Sequence, residues 1–269
     1  MERPDWAPDD VSMETPSPAR MYDALLGGTH NFEIDRVTAA RAVAMVPDLP
    51  QVALSNRAFL RRAIRCLVDL GIRQFLDIGS GIPTVGNTHE IARQANPDCR
   101  VTYVDIDPVA VAHTEAILAG DSQVCVVRGD LRAPEQLLLE LARRRVIDFS
   151  EPVGVLLVAV LHLLADADQP AKAVRVLSDA AAPGSHIAIS HLSGAHRPDD
   201  AAKLAANSAQ RAGPKIIFRS REEIMTFFHG LTMIEPGVVE LAQWRVESPA
   251  DVTEPQGRSL GLAGVGRKE

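Results

Sequence analysis

The stretch Phe75 to Thr84, reading FLDIGSGIPT, sets a carboxylate and a glycine-rich turn at the end of an apolar run. Glycines at 79 and 81 tolerate positive φ and carry no Cβ, so the backbone can reverse tightly and bring its amides against a bulky ligand. Asp77 stands where a carboxylate would face that ligand. A second apolar run, Val101 to Val104, ends in Asp105, Ile106, Asp107 and Pro108; a third, Val124 to Val127, ends in Arg128, Gly129 and Asp130. A lone Gly-x-Gly turn is commonly structural, whereas three successive strands that each finish in a carboxylate-bearing turn point to a ligand. In an open parallel sheet the carboxyl ends of the strands share one edge, and ligands bind in the crevice there.

The elements that must hold these turns follow from hydrophobic period and punctuation. Beyond Gly71 the chain alternates strand and helix, the rhythm of a parallel sheet with crossover helices. Strands are predicted near 73–78, 100–105, 123–128, 153–160 and 185–191, and helices over Thr84–Gln94, Pro108–Ala119, Pro134–Arg145 and Asp168–Ala182. The almost wholly apolar run Val153 to Leu164 suits a central strand covered on both faces. Asp199–Ala212 reads as an inserted helix, Ser220 with Glu223 as a capping box for another, and 231–239 with 260–267 as a closing pair of strands. Ahead of Gly71, Ser17 and Pro18 start a short helix that Gly27 and Gly28 stop. A second helix follows Asp35 to about Met45. A third, from Pro50 to Leu70, carries Phe59, Ala63, Leu67 and Leu70 on one face with Leu60 and Ile64 beside them. Residues 1–16, acidic and proline-rich, are expected to be disordered.

The chain resembles class I S-adenosylmethionine-dependent methyltransferases, and more closely an actinobacterial group of S-adenosyl methyltransferases of unknown acceptor. The likeness rests on FLDIGSGIPT, YVDIDP, RGDLR, the amino-terminal ARMYDALLGGTHNFEIDR, LHLLAD after the fourth strand, and the closing GLAGVGRK. One departure is Pro83 after Ile82, where the wider class usually has a third glycine. The resemblance implies an α/β, Rossmann-like, seven-stranded, mostly parallel sheet over 72–269 with an insertion at about 193–230, preceded by a helical lid over 17–71. It also implies S-adenosylmethionine as cofactor. Cofactor contacts would come from Asp77 (the methionine amino group), Gly79, Ser80 and Gly81 (the backbone floor), Asp105 (the ribose hydroxyls), Ile106, Gly129, Asp130 (the adenine amino group) and Leu131 beside the ring. Asp107 either competes for the ribose or caps the helix that begins at Pro108; Asp77 and Asp130 have structural alternatives as well.

Methyl transfer is an in-line displacement, so much of the protein's task is positioning. His162, after the central strand, is the candidate catalytic residue: near-neutral titration would let it take a proton from an acceptor hydroxyl or orient it. Its alternative is a hydrogen-bonded histidine in apolar surroundings. Tyr22, Gly28, Asn31 and Arg36 resemble group-specific positions of the lid, toward cofactor or acceptor, and Arg57 either reaches the cofactor carboxylate or faces solvent. His186 and His191 read as ordinary strand residues. Asp166 and Asp168 have the spacing of a magnesium pair, but Asp168 is also a natural helix cap, and the expectation is no metal. A nicotinamide-dependent oxidoreductase is the rival enzyme, although Thr84 occupies the third glycine of its fingerprint. A non-catalytic cofactor-binding module is the rival of another kind.

Composition narrows the partners. The net charge is −7 over 269 residues, and no Lys or Arg run is interleaved with aromatics, so a nucleic-acid footprint is missing and a small-molecule acceptor with oxygen or nitrogen is favoured. Arg143 to Arg145 suit a helix carboxyl terminus. Cys66, Cys99 and Cys125 lack metal or redox spacing and read as reduced thiols, which with no apolar span or leader indicates a cytoplasmic protein. Oligomeric state is not legible.

Overall fold

The computed structural model describes residues 11–83, 86–210, 213–247 and 257–269. Three helices open the chain: α1 (Pro18–Leu25), α2 (Glu33–Met45) and α3 (Leu49–Asp69). The alternating part follows as β1 (Gln74–Ile78), α4 (Thr88–Ala95), β2 (Arg100–Asp105), α5 (Pro108–Ile117), β3 (Val124–Arg128), α6 (Pro134–Arg144), β4 (Gly154–Val158), α7 (Pro170–Ala180) and β5 (His186–Leu192). The chain ends in α8 (Pro198–Ala209), α9 (Arg221–Met225), β6 (Thr232–Met233), β7 (Val239–Glu240) and β8 (Gly261–Arg267).

These strands form one sheet in the order β3-β2-β1-β4-β5-β8-β6, with β7 also pairing β8. The first five run parallel, and β8 lies antiparallel to β5. β1 is central and wholly buried, as an apolar strand covered by helices on both faces must be. This is the Rossmann-like architecture expected, with eight short strands for seven: Pro236 and Gly237 break the penultimate segment into β6 and β7, each only two residues long.

Local differences have local causes. The apolar run after β4 leaves the sheet at Ala159, whose φ is +59°, and turns through a short 3-10 helix, Leu161–Leu163. Ser17 does not cap α1; its hydroxyl donates to Asp107. Asp168 does not cap α7 either. It accepts from the Ala165 amide at 2.9 Å, and Gln169 stands at the cap with φ +53°. The capping box at Ser220 and Glu223 is present, with bonds of 2.7 and 3.2 Å. Asp107 caps α5 through the Val109 amide at 2.8 Å. Val11 is buried with Phe32, Ile82 and Val109, so the expected disorder does not extend through residues 11–16; the remainder of that tail lies outside the described residues. The cysteines are free, Cys66 and Cys99 buried and Cys125 half-buried. Among the described residues no helix is long and apolar enough to cross a membrane.

α3 is a core element rather than a detachable cover. Phe59, Ala63, Ile64 and Leu67 are fully buried, while Leu70, past the helix end, is 51% exposed. Phe59 meets Trp244 edge-on at 5.3 Å. Buried Arg62 donates to the carbonyls of Trp244 (2.7 Å) and Leu241 (2.6 Å), tying the helix to the carboxyl-terminal segment. Arg62→Met would leave both carbonyls without these donors, for a loss of about 2–5 kcal/mol. Urea unfolding is expected to show a lowered midpoint with unchanged slope.

Candidate active site

The parallel ladder continues past the strand ends and so fixes three turns side by side. The Gly79 amide donates to the Val104 carbonyl at 2.8 Å and the Gly129 amide to the Asp105 carbonyl at 3.0 Å. Gly79 and Gly81 have φ of +72° and +68°, and a Cβ on Gly79 would stand 2.4 Å from a Val160 methyl carbon. Glycine at 79 is therefore required twice, by conformation and by space.

Asp105 joins two of these turns, accepting from the Gly81 amide (2.7 Å) and the Asp107 amide (2.8 Å). Burial pushes its carboxyl up to about 6 against those amide bonds. Asp77 accepts from the Thr88 hydroxyl at 2.6 Å, and burial pushes it likewise to about 6, with Thr88 and Arg57 opposing. Two desolvated carboxylates with spare lone pairs are thus poised for hydroxyls or a cation.

The turns open into a cavity of about 750 Å³. Asp77, Gly79, Ser80, Gly81, Asp105, Ile106, Asp107, Gly129, Asp130, Leu131, His162 and Tyr22 all line it. Ile106 keeps half its surface exposed there. Asp107 has other duties: besides capping α5 it pairs with buried Arg20 at 3.2 Å. Asp130 is held by Arg132 at 2.7 Å on the half-exposed rim.

Gly28, Asn31 and Arg36 do not belong to the lining. They build a knot around Asp23, where Asn31 donates to Asp23 (2.7 Å) and to the Gly28 carbonyl (2.9 Å), and Arg36 donates to the Asn31 carbonyl and side-chain oxygens (2.9 Å each). A Cβ on Gly28 would collide with the Asp23 carboxylate. Their types are set by this loop.

His162 packs edge-on against His191 at 5.8 Å. Burial first, then His191 and Arg219, push the His162 imidazole down to about 3, and its Nδ1 has no hydrogen-bond partner among the described residues. His191 also lines the cavity and accepts from Arg219 at 2.9 Å, so it is more than a strand residue. Arg219 donates to the Leu161 and Leu164 carbonyls (3.2 and 3.0 Å) and to Asp166 (2.6 Å), clamping the turn that carries His162. Arg57 lines the cavity and donates to the Gly86 carbonyl at 2.5 Å, which takes it off the solvated face.

Sequence reading missed Arg20, Asn56, Thr88, Ser190 and Arg219. Asn56 had a signal: it precedes Phe59, Leu60 and Ala63 at helical spacing, a polar residue inside an apolar stripe.

The sequence profile of the S-adenosyl methyltransferase family matches residues 4–269. The chain belongs to this family. A candidate methyltransferase from Thermobifida fusca has a structure similar to it, with 43% identity, a TM-score of 0.91, and coverage of 99% of this chain and 100% of that one. A DUF574 family protein from Streptomyces avermitilis is similar at 32% identity and TM-score 0.90, covering 96% and 99% of the two chains. No curated protein matches. The chain is thus an S-adenosylmethionine-dependent methyltransferase, which sets aside the oxidoreductase and the non-catalytic readings. The glycine cradle and the two raised carboxylates fit a nucleoside that carries a cationic amino acid.

Raised carboxylates make the apo fold pH-sensitive. Below about pH 4 the folded and unfolded chains both hold the Asp77 proton; between 4 and 6 only the folded chain does, so stability falls with rising pH and stays lower above 6. Asp77→Asn is expected to lose that dependence, being more stable than wild type by up to about 3 kcal/mol at pH 8 and not at pH 4. Thermal melting at both pH values measures it.

Proposed function

We propose that the enzyme methylates an oxygen or nitrogen of a small molecule enclosed with the cofactor in one cavity. The observation that carries this reading is the continuity of that space. The cofactor-side turns of β1, β2 and β3 and the His162 wall after β4 border the same cavity, of a size typical for small ligands, roughly 300–1,000 Å³. Helices α1 and α3 roof it, which leaves the shape of a chamber.

S-adenosylmethionine supplies a methyl on a sulfonium, an electrophile with its leaving group built in. In this proposal Asp105 accepts from the ribose hydroxyls with lone pairs its amide bonds leave free, and Asp77 faces the amino group. The exposed face of Ile106, with Leu131, flanks the adenine. Gly79, Ser80 and Gly81 form the floor; Asp130, shared with Arg132, lies at the adenine rim. Asp107 anchors α1 through Arg20 instead of meeting the ligand. Tyr22 contributes to the acceptor wall, whereas Gly28, Asn31 and Arg36 act by shaping the loop behind it.

His162 holds a neutral imidazole against the acceptor and orients it. A group held near 3 is a weak base at neutral pH, so the protein's chief contribution is alignment and exclusion of water.

Calorimetry should show S-adenosylmethionine binding that weakens below about pH 6, by about tenfold per pH unit for each carboxylate that must ionise. Affinity constant from pH 5 to 8 would remove Asp77 and Asp105 from the site. His162→Gln is expected to leave cofactor affinity unchanged while lowering transfer of labelled methyl into a small-molecule cell extract by about 10- to 100-fold, less than a full general base supplies. Unaltered transfer would exclude His162.

A further inference from the structure

The cavity is electrostatically divided. Asp77 and Asp105 come from the carboxyl ends of β1 and β2, and Asp107 and Asp130 from the turns after β2 and β3. Asp168 acts on Arg132 at that same end. Past β4 the lining turns apolar, with Leu25, Val52, Leu60, Leu204, Ile216 and Leu241, and none of the lining residues contributed by α1, α3, β5 or α8 is a carboxylate. The cations of the lining near this part, Arg57 and Lys215, are already engaged. A charged acceptor would lose hydration here, where a cation meets no carboxylate from these elements and an anion meets only Arg57, whose charge already acts on Asp77, and Lys215, which already has a partner, so the penalty in an apolar chamber is heavy.

Besides the histidine pair, a polar chain crosses this wall. The Ala159 amide donates to Ser190 Oγ (2.9 Å), Ser190 Oγ donates to Asn56 Oδ1 (2.6 Å), Asn56 Nδ2 donates to the Tyr22 hydroxyl (3.0 Å), and Tyr22 donates to the Ala53 carbonyl (3.0 Å). Both hydroxyl hydrogens are consumed within the chain. Asn56 Nδ2 carries two hydrogens and Tyr22 takes one, so the donor left to a ligand is the second. All three side chains line the cavity, and Asn56 is 7% exposed. A buried amide N–H in apolar surroundings asks for an oxygen, and leaving it unpaired is costly.

We infer that the methyl acceptor is an uncharged, mainly apolar molecule that offers a neutral oxygen to Asn56, which makes Asn56 a specificity-determining residue. The inference rests on the methyltransferase reading of the cavity. Because Asn56 is oriented by Ser190 on one side and Tyr22 on the other, the wall selects by hydrogen-bond direction as well as by shape. A site built to donate to an oxygen rejects the analogue that lacks it.

The test uses the full chain saturated with S-adenosylhomocysteine and titrated by calorimetry with four probes of one shape: naphthalene, naphthol, naphthoate and naphthylmethylammonium. Naphthol is expected to bind tightest, by about tenfold or more over naphthalene and over either ion. In Asn56→Leu the advantage of naphthol over naphthalene should vanish, with affinity for S-adenosylhomocysteine unchanged. Tyr22→Phe, which deletes one hydroxyl and frees the amide to rotate, should reduce the same advantage and serves if Asn56→Leu fails to fold. The inference is overturned if either ion binds as tightly as naphthol, if the advantage survives in the folded variants, or if no probe binds the saturated protein. Failure of S-adenosylhomocysteine itself to bind is a separate result, which removes the cofactor site and the acceptor class together.

Discussion

A buried carboxylate that serves backbone organises this molecule's working edge. Asp105 takes one amide from the turn after β1 and one from the turn after β2, and its own carbonyl takes the first amide of the turn after β3. Three loops that would otherwise be independent are held in one register. Preorganised amides and lone pairs need no rearrangement when a ligand arrives, which is the economical way to bind and align. The raised pKa of Asp105 is the electrostatic trace of that burial.

An open sheet edge binds ligands without enclosing them, and here the amino-terminal helices supply the enclosure. They are fixed by two buried arginines. Arg20 of α1 bridges Asp35 (2.8 Å) and Asp107 (3.2 Å), with its guanidinium 4.9 Å from the centre of the Phe32 ring. Arg62 of α3 reaches the carbonyls of Leu241 and Trp244 in the carboxyl-terminal segment packed against that helix. Such pairs contribute geometry more surely than net stability, because their desolvation offsets much of the attraction. Asp107 shows the consequence: a residue two positions past Asp105, at the strand-end turns, is tied to α1 through Arg20.

The chamber separates charge from apolar surface along its length. Its acidic end gathers Asp77, Asp105, Asp107 and Asp130; its far end is leucine-rich, with Tyr22, Asn56 and Ser190 as neutral hydrogen-bonding groups and Lys215 nearby. Burial first, with His191 and Arg219 adding to it, keeps His162 unprotonated, and Arg219 clamps the turn after β4 that carries it. Arg219 is itself held by the Leu161 and Leu164 carbonyls and paired with Asp166, which is 89% exposed.

Hydrophobic period and turn residues made the alternating strands and helices legible from the amino acids alone, since each depends on neighbours within a few positions. The glycines and carboxylates at three strand ends were legible for the same reason: parallel strands must end on one edge, and FLDIGSGIPT, YVDIDP and RGDLR mark where. What a side chain meets across the fold was not. Asp107 bonding Arg20, Gly28, Asn31 and Arg36 closing on Asp23, and His162 rendered neutral by burial all depend on residues far away in the chain. Nor does a helical stripe reveal that Asn56 will find Ser190, 134 positions on. Local backbone preference is written in sequence order; burial, partner and protonation state arise only when distant segments share one interior, and there tertiary packing decided them.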